Sequence, residues 1–373
     1  MKIGILTYQY AINYGAQLQA YALKEFLNSY GYEVEIINYD TSYMYIKNRS
    51  IKNRIISKIW YLVKYFIGGR EKKIKFNTFK KKRLQIKGDI IADKNHLQKY
   101  LEIENFDVII VGSDQVWNPE INGNDDAYYL NLENNIIKIS YAASFGVSSL
   151  NKKYIQNLKD CLNKFSSISV REKTGKKIIN SIGLDAEVVL DPVFLLEKEK
   201  WLDISSKNRI VNECYILCYV MPGDKELENK IEYLALQIRK QTGKEIVFLG
   251  RKEYKKFKRD GKDFISASPE EFVNLFFYAD IVITNSFHGT AFSIIFNKNF
   301  YSLINSNVFG VKQLSSRLTD LLFDLGLENR IVNVKDENID IDKINYIEVN
   351  RKLNKMKDKS KSYLQTALCL KKS

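Results

Sequence analysis

The chain has 373 residues, with 58 Lys+Arg against 44 Asp+Glu for a net charge of +14, and 45% of its residues are hydrophobic. That is ample apolar material for a globular fold and too long for one ordinary core, so two domains of about 150–200 residues each are expected. Two histidines and four scattered cysteines (Cys161, Cys214, Cys218, Cys369) argue against a disulfide framework and a His- or Cys-ligated metal, and for a reducing compartment.

In chain order, the run Ile3-Gly4-Ile5-Leu6 reads as a buried strand over 2–6 and not as a signal peptide, because Thr7, Gln9 and Asn13 interrupt it before any cleavage-like site. No stretch reaches the ~20 apolar residues needed to cross a bilayer, so a soluble, cytoplasmic protein is expected. A helix over 16–29 and a strand over 33–38 follow. Further strands are predicted over 107–111, 136–143 and 167–170, with a helix over 151–164. The second half repeats the rhythm, with strands over 214–220, 245–249, 281–284 and 300–303, and helices over 225–242, 269–278 and 290–296. Such alternation argues for parallel sheets covered by helices. The expected fold is α/β, with two Rossmann-like domains facing a central cleft. The boundaries read as 1–190, carrying a basic helical insertion at about 41–95, then 191–340, then a Lys-rich helical tail over 341–373 that would cross back onto the first domain. A linker is expected near 191–212, where Asp191-Pro192 breaks the pattern.

The segment 47–87 holds 15 Lys/Arg and one acidic residue, which equals the net charge of the whole chain. Ile51, Ile55, Ile59, Val63 and Phe66 recur at helical spacing, with Trp60 alongside. Two readings stay open. One is a solvated helix; the other is a contact with an anionic partner, such as the inner membrane face or a polyanionic chain. Nucleic acid is not expected, since no recognisable nucleic-acid module accompanies the charge.

The chemistry gathers at predicted strand ends. There is no Walker-type loop and no G-x-G-x-x-G. After the first strand, Asn13-Tyr14-Gly15 opens a helix, and the small Gly15-Ala16 pair would let a ligand approach the backbone. After 107–111 comes Gly112-Ser113-Asp114-Gln115, dense in hydrogen-bonding groups. Asp114 reads either as a proton acceptor for a hydroxyl or as a loop-stapling carboxylate. Arg171, at the end of 167–170, would aim a guanidinium fork at a carboxylate or phosphate. Asp191 reads as a turn residue. The densest signal is Ile281-Val282-Ile283-Thr284-Asn285-Ser286-Phe287-His288-Gly289: a buried strand, then a polar turn holding one of the two histidines, then a helix whose unpaired N–H groups favour an anion. A capping or core histidine is the plainer alternative. Arg317 and Lys312 are further cations in the next helical stretch, where Arg317 reads more plainly as an ordinary surface arginine.

Together these segments resemble the polysaccharide pyruvyl transferase family. The resemblance rests on Asn13-Tyr14-Gly15-Ala16, Val111-Gly112-Ser113-Asp114, Ser140-Tyr141-Ala142-Ala143-Ser144-Phe145-Gly146, Ser169-Val170-Arg171-Glu172, Leu190-Asp191-Pro192, Thr284-Asn285-Ser286-Phe287-His288-Gly289 and Ser316-Arg317-Leu318, in the expected order over roughly 1–335. It implies a GT-B-like fold and an enzyme that moves the enolpyruvyl group of phosphoenolpyruvate onto a sugar of a cell-surface glycan or its lipid-linked precursor. The product would be a pyruvate ketal and phosphate, with no cofactor and no metal. The family's essential histidine falls on His288 and its strand-end arginine on Arg171. Asn285, Ser286, Gly289, Arg317 and Lys312 would hold the donor; Asn13, Tyr14, Gly15, Ser113 and Gln115 would face the acceptor, with Asp114 as base. Some members carry an arginine where this chain has Ser286. The alternatives are a GT-B-like glycosyltransferase using a nucleotide sugar, and a non-catalytic module that binds anionic glycans or membranes.

Overall fold

The structure is a computed structural model that describes residues 1–40, 69–122, 125–132, 135–206, 208–250, 261–264, 266–305, 311–336 and 342–369; for 261–263 and 311–315 it describes the backbone alone. The chain divides into two compact units. One comprises Met1–Arg70, Asn77–Leu196 and Lys355–Ser373; the other comprises Glu71–Phe76 and Glu197–Asn354.

In the first unit, strands β1 (Lys2–Leu6), β2 (Glu33–Ile36), β3 (Val108–Val111) and β4 (Ile137–Ser140) form a parallel sheet in the order β2-β1-β3-β4. A parallel pair, β5 (Ser169–Val170) with β6 (Glu187–Val188), continues beside β4 through bridges at Ile139–Ser167 and Ala143–Val170. Every side chain of β3 is buried, as expected for a parallel strand covered on both faces. Helices α1 (Tyr14–Ser29), α2 (Arg70–Phe79), α3 (Lys94–Glu104), α4 (Lys152–Leu162) and α5 (Lys173–Ser181) lie between the strands in sequence, although Glu71–Phe76 of α2 belongs to the second unit. Asn13 starts α1 by accepting a hydrogen bond from the Ala16 N–H, and α1 is buried along nearly its whole length. The winding runs from β1 to β2 in one direction and from β3 onwards in the other, so the reversal falls between β1 and β3.

In the second unit, β7 (Tyr215–Tyr219), β8 (Glu245–Leu249), β9 (Gly261–Phe264), β10 (Ile281–Thr284), β11 (Asn299–Ile304) and β12 (Ile331–Asn333) form one parallel sheet in the order β12-β11-β10-β7-β8-β9. This is the doubly wound order with its reversal between β7 and β10. Its helices are α6 (Lys198–Ile204), α7 (Lys225–Thr242), α8 (Pro269–Tyr278), α9 (Phe287–Ile295) and α10 (Val311–Leu325). Trp201 of α6 is fully buried against Phe292 of α9, their ring centroids 4.8 Å apart. The stretch read as a linker is therefore divided, with 191–196 in the first unit and the part from Glu197 in the second. Aromatic packing outweighs the break that Asp191-Pro192 signals in the sequence.

The tail is not a separate unit. Helix α11 (Tyr346–Cys369) has its first residues in the second unit and the rest, from Lys355, in the first. Within the first unit Ser360 accepts from the Leu190 N–H at 2.9 Å, and the Tyr363 hydroxyl donates to the Ser140 carbonyl at 2.9 Å. Of the basic insertion, the stripe Ile51-Ile55-Ile59-Val63-Phe66 lies outside the described residues. The described portion is anchored: Phe76 and Phe79 of α2 and Leu84 are buried, and buried Lys24 donates to the Leu84 carbonyl. Among the described residues, no helix is long and apolar enough to cross a membrane.

Helix α8 begins with a full capping box, in which Ser268 accepts from the Glu271 N–H while the Glu271 carboxylate accepts from the Ser268 N–H. Ser268→Ala should cost about 1 kcal/mol. Urea unfolding of the variant should show a lower midpoint with an unchanged slope.

Candidate functional site

In an open parallel sheet, ligands bind beyond the carboxyl ends of the strands where the winding reverses, because the loops there diverge and leave a crevice. Each unit has one such point, and the predicted residues sort into these two groups.

In the first unit, the ends of β1 and β3 are tied together. The Thr7 hydroxyl donates to the Ser113 carbonyl at 2.9 Å, and the Tyr8 hydroxyl to the Gln115 carbonyl at 3.1 Å. Ser113, Asp114, Arg171 and Asp191 converge there. Arg171 Nη1 lies 2.6 Å from Asp191 Oδ2, with side-chain exposures of 1% and 0%. Ser113 donates to the same carboxylate oxygen at 2.9 Å, and Asp114 Oδ1 lies 3.9 Å from Arg171 Nη2. Asp191 also accepts from the Val193 N–H, starting the turn at Pro192–Phe194. It is thus a turn residue, as the sequence suggests, and at the same time the buried counter-ion of Arg171. The guanidinium expected to seize a ligand meets this carboxylate through Nη1. Burying a charge is tolerable only with such a partner.

Asp114 takes a positive φ of +78°, a strained conformation for a residue with a side chain. It is held there because its carbonyl accepts from the Ser144 N–H while Oδ1 accepts from the Gln115 N–H at 2.8 Å. Its side chain is partly exposed, and Oδ2 is not engaged by a described residue. Gln115 itself uses Oε1 to accept from Asn118. Glu172, which the residue-by-residue reading passed over, is fully buried; its Oε1 accepts from the Ser144 hydroxyl at 2.9 Å and the Phe145 N–H at 3.1 Å. It staples the loop after β4 to the end of β5. Gly146 sits at φ +64°, which L side chains rarely adopt, and a Cβ there would have to displace the Gln115 amide, whose Oε1 lies 1.9 Å from its position. Asn13 is engaged in capping α1, with Tyr14 and Gly15 buried in its first turn.

In the second unit, the reversal between β7 and β10 coincides with the densest sequence signal. Helix α9 starts at Phe287 and not at 290, so His288 sits in its first turn and not in the preceding loop. The earlier start follows from Ser286, whose side chain accepts from the Gly289 N–H as N-cap. Asn285 spans the crevice: its Oδ1 accepts from the Met221 N–H at 2.6 Å, and its Nδ2 donates to the Met221 carbonyl at 2.8 Å. Thr284 donates to the Tyr219 carbonyl at 2.6 Å. Gly289 is required by packing, because a Cβ there would lie 2.4 Å from Thr284 Oγ1. His288 is 8% exposed, with its ring edge-on to Phe287 at 5.2 Å. Arg317 is buried in α10, which packs against α9, so it is not an ordinary surface arginine. The side chain of Lys312 lies outside the described residues.

Asn285, Ser286 and Gly289 thus build the frame that presents His288 at a helix N-terminus, where backbone N–H groups favour an anion. Among the described residues, no group of three or more His, Cys, Asp or Glu side chains could hold a metal ion.

Doubly wound parallel sheets with polar residues at each reversal define an α/β protein of the GT-B-like class. Solved structures share that fold. UDP-N-acetylglucosamine 2-epimerase from Rickettsia bellii is 13% identical, covering 98% of this chain and 96% of that one, with a TM-score of 0.52. A glycosyltransferase from Rickettsia africae is 12% identical over 98% of both chains, with a TM-score of 0.51. UDP-GlcNAc 2-epimerase from Methanocaldococcus jannaschii is 14% identical over 96% of this chain and 92% of that one, with a TM-score of 0.50. At such identities the likeness concerns the fold alone. No curated protein matches the sequence. The profile of the polysaccharide pyruvyl transferase family matches residues 13–307, and the chain belongs to that family.

Asp191→Asn leaves a buried guanidinium without its counter-ion and should destabilise the protein by about 3–5 kcal/mol. Chemical denaturation measures this; a loss below about 1 kcal/mol would show that the pair does not hold these loops.

Proposed function

We propose that the protein transfers the enolpyruvyl group of phosphoenolpyruvate to a saccharide of a cell-surface glycan or its lipid-linked precursor, closing a pyruvate ketal and releasing phosphate. The observation that carries this reading is His288 in the first turn of α9, at the winding reversal of the second sheet, in a chain of the pyruvyl transferase family. Phosphoenolpyruvate brings a phosphate and a carboxylate, so its site calls for helix N–H groups and cations. In this reading His288 protonates C3 of the enol, C2 becomes cationic, and a sugar hydroxyl adds there. Phosphate then leaves with the C2–O bond pair, and a second hydroxyl closes the ketal. Arg317 is the donor cation that the structure supports best, being buried beside α9 where Ser286 is spent on the cap.

Asp114 is the group assigned to accept the hydroxyl proton, because Oδ2 is left over from its structural bonds. Asn13, Tyr14, Gly15, Ser113 and Gln115 are retained on the acceptor side as the frame around it. Arg171 acts through Asp191 as a positioning residue. No metal enters this chemistry, and phosphoenolpyruvate is a substrate and not a cofactor.

His288→Gln should lower turnover at least ~100-fold, the usual scale for losing a general acid, with a near-wild-type unfolding transition. Phosphate release from phosphoenolpyruvate with a panel of glycoside acceptors, followed by mass analysis, reads this out. Full activity in the variant would overturn the assignment. Turnover should also persist in excess chelator; loss restored by magnesium or manganese would favour a nucleotide-sugar donor instead.

A further inference from the structure

The amino edge of the second sheet, opposite the end that carries His288, holds a group of cations that the function above leaves unused. Lys298 directly precedes β11, Lys198 begins α6, and Arg209 lies in the segment entering β7. Lys298 and Lys198 both approach the Phe277 ring, with Nζ 5.5 Å and 5.3 Å from its centroid. Arg209 lies over Tyr278, 5.5 Å from that centroid, and Phe277 packs on Tyr278 and Phe296. Both lysines are half-buried, and neither ammonium makes a hydrogen bond or ion pair with a described residue. The carboxylate that faces Lys298 is Asp280, and it is already used: Oδ1 pairs with Lys244 at 3.2 Å and Oδ2 accepts from the Tyr215 N–H at 2.9 Å. Arg209 spends Nε and Nη2 on the carbonyls of Val211 and Glu213, which fixes it in place. Lys198 and Arg209 thus bear on Lys298 together with one carboxylate, Asp280, which is already paired.

We propose that Lys198, Lys298 and Arg209 form a second site, for a phosphate or carboxylate group, on the aromatic floor of Phe277 and Tyr278. A preorganised, partly desolvated set of like charges is unfavourable when empty and is relieved by an anion. The Phe277 ring makes a platform that both ammonium groups approach, with Arg209 over the neighbouring Tyr278. Burial, with Lys198 and Arg209 adding to it, lowers the Lys298 pKa to about 8. A bound anion favours the charged lysine and so raises that value; affinity should strengthen as pH falls through about 8 and weaken above it.

The test is site-resolved acylation of the full chain by a limiting amine-reactive ester at pH 7, read by peptide mass spectrometry. In phosphate-free buffer Lys298 should label roughly 10-fold faster than exposed lysines, because far more of it is neutral. Inorganic phosphate should suppress that labelling at Lys298 selectively. Lys198→Gln, with its unfolding transition unchanged, should raise the protecting concentration at least ~10-fold, whereas His288→Gln should leave it unchanged. A parallel arm with a short polyuronate distinguishes the source of the anion: protection at much lower concentration than phosphate assigns the site to an acidic saccharide, and protection by phosphate alone to a free oxyanion. Labelling of Lys298 unaffected by both anions would overturn the proposal. Because the readout is Lys298 itself, the outcome is independent of whether phosphoenolpyruvate is the donor.

Discussion

The placement of this chain's polar loop residues depends on where its two parallel sheets reverse their winding. Parallel strands need crossovers, and crossovers in opposite directions from neighbouring strands leave a crevice at the carboxyl edge. In the second sheet that point lies between β7 and β10, and the segment after β10 is the one richest in polar groups. The crevice is not left open at its root. Asn285 closes it with two hydrogen bonds to the Met221 backbone, and Thr284 adds a third to Tyr219. His288 is raised above that closed base by the first turn of α9.

The first sheet solves the same problem with charge. Three loops leave its carboxyl edge after β3, β4 and β5, and each has backbone groups to satisfy. Asp191 gathers Arg171, Ser113 and the Val193 N–H; Glu172 gathers Ser144 and Phe145. Two buried carboxylates thus hold the loops that keep Asp114 at its strained φ. Strain of this kind persists only where the surroundings over-determine it. It marks Asp114 as a residue whose orientation matters more than its ease of folding.

The family assignment and the electrostatics meet on one point. A donor with a phosphate and a carboxylate needs cations, yet Arg171 is neutralised by its partner. In the proposed reaction that need falls to Arg317 and to the N-terminus of α9, where Ser286 is used as the cap. The cluster of Lys198, Lys298 and Arg209 lies at the opposite edge of the same sheet, too far along the strands to serve that donor.

The sequence by itself determined the α/β class and most strand positions. Buried parallel strands read as short apolar runs, and the polar stretches that end them stand out, as at Thr284–Gly289 and Ser113–Gln115. Tertiary structure decided the roles. Arg171 and Asp191 are 20 residues apart in sequence, and nothing local says that β5 and β6 lie side by side and make them an ion pair. The start of α9 depended on which residue caps it, a choice between Ser286 and the residues after it that only the packing of Gly289 on Thr284 settles. The 191–212 stretch looked like a linker because Asp-Pro breaks periodicity, while Asp191 is tied into the first unit and Trp201 into the second core. Periodicity is a property of neighbours along the chain; ion pairs, caps and aromatic contacts are properties of neighbours in space.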